Sequence, residues 1–312
     1  MLSVEPSRNL VLVHSVGWQD VADFEAIRAY IEEMAPDIEV FIASNSVRSS
    51  MMRKNAARRP TLVFSPLRLL EFRPDRGKIY QGQAMSKLVE MARLAAAGLP
   101  VPSYQEIVPG TVLSPAVFGP YTIVKPTYEL ASWGKGVELL RTEDVRFRPP
   151  ADYPPEHPGR KGPMVAQKFI DCGFPMTCRV LTLFGVPIFS YYREATQPFN
   201  IGEASGPFKP EEFIALNDVN VYATHDPAIL QLAASAYEAM PEIALQACDI
   251  LRDTDGGLHL LEINPGGGTW MFSSPLAKAY KDMLGVDDLT TEFDAFETCA
   301  RLLVERTRAE AI

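Results

Sequence analysis

Two carboxylates and an amide near the end of the chain are the first residues that could do chemistry. Asp255-Gly256 between two apolar runs is a strong signal for a two-residue hairpin turn. With those residues as the turn, Thr254 faces Gly257 and Asp249 falls opposite Glu262. Asn264, two residues further on, shares the face of Glu262. Directly opposed carboxylates repel each other, so a positive charge is expected between them. An all-oxygen set of this kind suits a hard cation such as Mg²⁺, which prefers one or two carboxylates together with phosphates. A nucleotide partner is thereby implied. The ordinary alternative is a solvated hairpin face, which the apolar neighbours Ile250, Leu251, Leu258, Leu260, Leu261 and Ile263 disfavour. The pairing also depends on register, because a one-residue slip moves Glu262 to the other face.

Basic residues of two kinds could meet such an anion. Lys125 ends the strand-like run Tyr121 to Lys125, and Lys135 sits between Gly134 and Gly136. Flanking glycines let backbone N–H groups approach phosphate oxygens closely. This is not the phosphate-loop pattern G-x-x-x-x-G-K-[ST], and by itself a plain turn is the simpler account. Arg179 and Arg193 lie on consecutive strands. A Gly185-Val186-Pro187 connection would pair Phe184 with Ile188 and set Arg179 directly opposite Arg193, an arrangement that needs a bridging anion or local acids such as Glu194.

The elements that must position these residues follow from periodicity. Asn9 to Val13, Ile38 to Ala43 and Pro60 to Phe64 read as strands, with a helix capped by Asp20 between the first two, so the first third is expected to be a parallel α/β layer. A helix from Ser86 to Ala97 follows, closed by Gly98. Strands are expected at Tyr121–Lys125, Val137–Leu140, Met164–Ile170, Met176–Phe184, Pro187–Glu194, Ile243–Arg252 and Leu258–Asn264, and a helix at Pro227–Ala239. The Pro/Gly-rich stretch 149–163 reads as a surface loop.

Composition narrows the class. The chain has 312 residues, 47% of them hydrophobic, and a net charge of −9, which excludes a fibrous or largely disordered chain and makes a nucleic-acid coat unlike it. Residues 48–93 hold 11 of the 30 Lys+Arg and 3 of the 39 Asp+Glu. Such an island on an acidic chain suggests a specific anion site, or a solvated helix face. Cys172, Cys178, Cys248 and Cys299 form no C-x-x-C pair and read as free, core thiols. No apolar run approaches the ~20 residues of a membrane span, and no signal peptide is visible, so a cytoplasmic protein with no membrane partner is expected.

In order and spacing, the motifs Val124-Lys125-Pro126, Gly134-Lys135-Gly136-Val137, Val165-Ala166-Gln167-Lys168-Phe169-Ile170, Cys178-Arg179-Val180, Ala247-Cys248-Asp249-Ile250-Leu251 and Leu261-Glu262-Ile263-Asn264-Pro265 together resemble an ATP-grasp enzyme. The resemblance covers roughly Ser86 to Asn264. It implies an α/β fold, α+β in its catalytic part: an N-terminal α/β layer (residues 1–84), a central subdomain with the lysine strand and glycine loop (85–170), and a C-terminal subdomain with the metal site (171–312), the last two clamping ATP. By the same resemblance Lys125 and Lys135 would contact ATP phosphates under the Gly134–Gly136 loop. Gln167, Lys168, Phe169 and Ile170 would form the hinge, with backbone groups of Lys168 and Ile170 reading adenine and Asp171 holding the ribose. Asp249, Glu262 and Asn264 would be the magnesium ligands, for two ions that Mn could replace. Arg179 and Arg193 would steady the transferred phosphate.

The activity this implies is an ATP- and Mg-dependent ligase that activates a carboxylate as an acyl phosphate and joins it to an amine or thiol. Both substrates would be small molecules or peptides, and such enzymes often pair as homodimers. The alternatives are a kinase on the same nucleotide site, with Arg48, Arg53, Lys54, Arg58 and Arg59 binding an anionic substrate, or a non-catalytic nucleotide-binding module. The acceptor would meet the loop from His14 to Trp18 and the segment Gly266–Trp270, which departs from the usual peptide-ligase ending.

Overall fold

Consecutive buried apolar residues make the first layer. The computed structural model describes residues 5–45, 58–69, 77–128, 134–202, 206–266 and 269–312. Strand β1 (Arg8–His14) lies between β2 (Ile38–Ser44) and β3 (Thr61–Ser65), with β4 (Lys78–Gln81) outside β3, all parallel. Alternation sends Leu10 and Leu12 to one face against Phe24, Ile27 and Ile31 of helix α1 (Val21–Met34), and Val11 and Val13 to the other. Asp20 caps α1 as expected, its carboxylate accepting from the Ala22 N–H at 3.0 Å. The last long helix returns to this layer, and Thr61 N–H donates to the Ile312 carbonyl at 2.9 Å. Chain order reverses sides at β1, so a crevice opens beyond the carboxyl ends of β1 and β3.

Two antiparallel sheets follow. One has the order β5 (Tyr104–Glu106), β8 (Met164–Lys168), β6 (Tyr121–Pro126), β7 (Glu138–Arg141). The other has the order β11 (Val219–Ala223), β10 (Val186–Ala195), β9 (Met176–Leu183), β12 (Leu245–Arg252), β13 (Leu258–Asn264). The back of this second sheet buries Cys178, Val180, Cys248 and Ile250 against Leu94 of α2 (Lys87–Ala96) and against Ile229, Ala233 and Ala236 of α3 (Pro227–Ala239). Helix α4 (Ala277–Leu284) and α5 (Ala295–Glu310) complete the chain. Strands β4, β5 and β11 are short and half-polar, and carry no pattern that periodicity detects.

Two registers differ from expectation. The β9–β10 connection is a two-residue turn at Phe184 and Gly185, both with positive φ (51° and 81°), the twist a tight hairpin prefers. With that turn and a one-residue shift between Pro187 and Phe189, Arg179 opposes Tyr191 and Arg193 opposes Thr177, so the two arginines are diagonal neighbours and do not face each other. At the other hairpin the loop runs from Asp253 to Gly257, with Asp253 N–H donating to the Gly257 carbonyl at 2.9 Å. That register puts Ile250 opposite Leu260, and an extra residue at Leu261 restores Asp249 to Glu262. The proline-rich stretch 149–163 is pinned, with Tyr153 buried, stacked on His157 at 4.5 Å, and Arg160 Nη1 donating to its carbonyl at 2.9 Å.

The first layer grips the end of β13. Gln83 N–H donates to the Pro265 carbonyl at 2.9 Å, and a Cβ on Gly266 (φ +98°) would lie 2.4 Å from the Pro66 carbonyl oxygen and 2.6 Å from Gly82 Cα. Both contacts are with backbone, which cannot swing aside. Gly266→Ala should therefore destabilise the protein by at least 1–3 kcal/mol. A urea midpoint within error of wild type would contradict this packing.

Candidate functional site

Register alone assembles the centre of the site. Tyr191 on β10, Arg179 on β9, Asp249 on β12 and Glu262 on β13 are directly paired strand to strand, so they form one row on the face opposite Cys178, Val180, Cys248 and Ile263. Arg179 holds Asp249 through a two-point pair, Nε to Oδ1 and Nη2 to Oδ2, each 2.7 Å. Asn264 Nδ2 donates to Asp249 Oδ2 at 3.2 Å. Glu262 Oε2 accepts from Lys87 Nζ at 2.5 Å and from Lys125 Nζ at 3.2 Å. The positive charge expected between the opposed carboxylates is thus present as side chains. The Tyr191 and Tyr280 hydroxyls lie 3.1 Å apart beside this row.

Burial makes these charges interdependent. Burial alone would raise the Glu262 carboxyl, but the Lys87 and Lys125 ammoniums outweigh it and hold Glu262 far below the usual carboxylate range. Burial lowers Lys125, with Glu262 opposing the shift. Glu90, one turn along α2 from Lys87, is pushed up to about 8 by burial and by the Glu262 charge, and its Oε1 accepts from the Ile263 N–H at 2.6 Å. Cys178 is likewise pushed up by burial, to about 12, so it is no nucleophile.

All of this opens into a cleft of about 920 Å³ between the two antiparallel sheets. It is lined by Lys125, Gly134, Lys135, Gln167, Lys168, Phe169, Ile170, Asp171, Arg179, Arg193, Asp249, Glu262 and Asn264. Gly136 is the one expected site residue outside the lining. A Cβ there would lie 2.7 Å from Pro158 Cδ, so this glycine seats the loop on the 149–163 segment. Six cations (Lys87, Lys125, Lys135, Lys168, Arg179, Arg193) and three anions (Asp171, Asp249, Glu262) line the cleft, a formal +3 on a chain of −9. The field in this concavity favours a polyanion.

The segment 167–171, expected to be the hinge, divides its labour. Gln167 is fully buried and its Nε2 donates to the Leu261 carbonyl at 3.3 Å. The Lys168 N–H is taken by the Ser103 carbonyl at 2.7 Å and the Phe169 N–H by Tyr121 at 3.3 Å. Asp171 is exposed, its Oδ1 accepting from the Gly173 N–H at 2.8 Å. Beyond the hinge Phe169, Phe199, Phe213 and Ile214 make an apolar end to the cleft, with Phe169 edge-on to Phe199 at 6.1 Å. Arg193 Nη2 donates to the Leu216 carbonyl at this end.

Periodicity overlooks Lys87, Glu90, Tyr191 and Tyr280. A signal existed for the first two. Lys87, Glu90, Met91 and Leu94 share one helical stripe, and all four are buried. Two charges on a core stripe are unusual enough to mark a buried ionic cluster. Of the basic island, Lys87 reaches the cleft. Arg48, Arg53 and Lys54 lie outside the described residues, Arg59 pairs with Glu39 on the first layer, and neither Arg58 nor Arg59 lines the cleft. Gly267 and Gly268 also lie outside the described residues.

Lys87→Met should cost about 3–5 kcal/mol, since it leaves a buried carboxylate with one partner fewer; an unchanged urea midpoint would refute that account. Glu90 gives a pH signature. Its folded value of about 8 lies above the ordinary 4.5, so between these pH values the folded state binds the extra proton and stability falls as pH rises. Glu90→Gln should remove that fall, making the variant's advantage grow from pH 5 to pH 8 by on the order of a few kcal/mol. Parallel stability curves for the two proteins would count against a protonated Glu90.

No family model matches the sequence, and neither does any curated protein sequence. Solved structures do match. The ATP-grasp ligase PsnB complexed with minimal precursor aligns with a TM-score of 0.54 at 15% identity, covering 97% of this chain and 100% of that one. The D-cycloserine synthetase DcsG aligns with a TM-score of 0.53 at 16% identity, covering 96% and 99%. PsnB complexed with a phosphomimetic variant of minimal precursor, Mg and ADP aligns with a TM-score of 0.53 at 14% identity, covering 97% and 100%. Matched over nearly its whole length with these proteins, the chain has the ATP-grasp fold.

Proposed function

We propose that this protein is an ATP- and Mg²⁺-dependent ligase that activates a carboxylate as an acyl phosphate and joins it to an amine or thiol, releasing ADP and phosphate. The observation that carries the reading is the convergence on one cleft of Lys87, Lys125, Lys135, Arg179 and the Asp249/Glu262/Asn264 set. PsnB has been captured with Mg and ADP, which agrees with a nucleotide site in this fold. The boundaries at residues 84/85 and 170/171 then separate three parts with one sheet each, and α5 returns to the first.

The donor set fits magnesium. Asp249 and Glu262 are opposed across a strand pair, Asn264 touches Asp249, and the three offer only oxygen ligands plus an amide. Among the described residues no cluster of three or more His, Cys, Asp or Glu side chains forms a metal group. A cation held here would therefore lean on these three residues and on phosphate oxygens. When bound, it would neutralise charge on the phosphates. The chain's own groups do the rest. Lys125 and Lys135 neutralise phosphate oxygens, the carbonyl of Lys168 and the N–H of Ile170 read adenine between apolar walls, and Asp171 meets the ribose. Arg179 and Arg193 hold the phosphoryl group and the carboxylate that attacks it, a matter of positioning and charge rather than covalent chemistry by the protein. No helix among the described residues is long and apolar enough to cross a membrane, and we place the reaction in the cytoplasm.

The test is release of ADP and phosphate from Mg-ATP with pooled small carboxylates and amines, with mass spectrometry on the same samples. A condensed product lighter by one water than its two substrates supports the ligase. A phosphorylated product without free phosphate would replace it with a kinase. Asp249→Asn should lower ADP release at least 100-fold while keeping the fold, and wild-type turnover by that variant would remove Asp249 from the site. Glu262→Gln is the poorer probe, because it strips two buried lysines, Lys87 and Lys125, of their counter-charge, whereas Asp249→Asn removes the partner of one partly exposed arginine, Arg179.

A further inference from the structure

We propose that the end of the cleft remote from the hinge is a subsite for an apolar side chain, so that the carboxylate substrate is an apolar acid. This rests on the ligase reading and names its substrate class.

Three large apolar side chains from three separate elements stand exposed on the same concavity. Trp18, in the loop after β1, is 53% exposed; Tyr128, just past β6, is 50% exposed; Leu276, before α4, is 40% exposed. Exposed apolar surface gathered in a concavity with a polar rim marks a binding groove rather than ordinary surface. On the same cleft Phe169, Phe199 and Phe213 pack in an apolar cluster of their own with Tyr121 and Leu139, and neither Trp18 nor Leu276 belongs to it.

The exposure is held in place. Asp20 N–H donates to Ser273 Oγ at 2.8 Å, Ser273 Oγ donates to Asp23, and the buried Trp270 donates through Nε1 to Asp23 Oδ2 at 2.7 Å. The loop carrying Trp18 and the loop carrying Leu276 are thereby fastened to one another. The charged residues of these segments, Asp20, Asp23 and Lys278, line a separate surface pocket. What these two loops present to the cleft is Trp18, Ser274, Pro275 and Leu276, with no charged side chain among the described residues. Loop residues after β1 sit at the crevice where chain order reverses, the place where open α/β sheets receive ligands.

Polarity changes abruptly at the inner edge. Tyr280, also on the lining, touches the Tyr191 hydroxyl, and Tyr191 opposes Arg179. An acid seated here has its apolar part on Trp18 and Leu276 and its carboxylate toward Arg179 and the phosphate-binding lysines. A polar or charged side chain would lose its hydration against Trp18 and Leu276 without gaining a partner. Discrimination in favour of apolar acids of about 10–200-fold follows from side-chain burial of this size.

The experiment uses the full chain, Mg-ATP, hydroxylamine as acceptor, and L-phenylalanine, L-leucine, L-aspartate or L-lysine as the acid. The carboxylate oxygen attacks Pγ and ADP leaves with the bonding pair. Hydroxylamine nitrogen then attacks the acyl carbon, phosphate leaves, the nitrogen loses a proton to water, and a hydroxamate forms. Expected is hydroxamate from phenylalanine or leucine at a kcat/KM about tenfold or more above aspartate and lysine. Trp18→Ala and Leu276→Ala should each raise KM for the apolar acid about tenfold and leave the KM for ATP unchanged. Direct titration of nucleotide-free protein with phenylalanine should quench tryptophan fluorescence, and the quench should be lost in Trp18→Ala. Equal or greater turnover of aspartate or lysine, or variants with unaltered KM, overturns the subsite while leaving the ligase standing. ADP without hydroxamate from every acid overturns the ligase reading and the subsite with it.

Discussion

Glu262 is the residue on which the architecture of the cleft turns. Its carboxylate is held by Lys87 from α2 and by Lys125 from β6, so one buried anion joins a strand of the third sheet to the helix behind it and to the sheet across the cleft. Each of these charges alone would cost several kcal/mol to bury, and only their mutual pairing offsets that. The three elements must therefore come together as a unit. Glu90 extends the same constraint to the backbone of β13 through the Ile263 N–H. The first layer closes on the strand one residue past Asn264, through Pro265 and Gly266.

The row Tyr191, Arg179, Asp249, Glu262 meets a second requirement, that the acids stand ready without repelling each other. Opposed carboxylates on bare strands would destabilise the sheet. Here Arg179 flanks Asp249 on one side, and the two lysines flank Glu262 on the other. The charges alternate, so they offset one another and the groups are already placed. With six cations against three anions, the surplus over the acids is positive and favours a polyanion in the cleft.

Much of this was legible in the residues. A hairpin near Asp255-Gly256, the parallel first layer and the Asp20 cap follow from alternation and turn chemistry, whereas Asp249 meets Glu262 through a five-residue loop and a bulge that no turn rule supplies. What escaped did so for identifiable reasons. Lys87 and Glu90 act through tertiary contacts with strands more than 170 positions away. Tyr191 was hidden by a misplaced turn, since Phe184 adopts positive φ, a conformation rare for a bulky residue and invisible to turn propensities that look for glycine first. The 149–163 segment is proline-rich yet packed, because Tyr153 supplies the apolar anchor that composition alone does not weigh.

The two strand irregularities set the row of site residues. Near the 253–257 loop, the β12–β13 register would place Asp249 opposite Leu261 and turn Glu262 to the core face. The additional residue at Leu261 reverses that parity, and it is this bulge that aims Glu262 into the cleft. The carbonyl of Leu261 then accepts from buried Gln167, tying the irregularity to the base of the hinge. On β10 the shift between Pro187 and Phe189 does the same for Tyr191, moving it opposite Arg179. A sheet without either bulge would keep the same hydrophobic pattern near its turns and lose the row that makes the site. The residues between turn and site are therefore as much a part of the site's geometry as the side chains that line it.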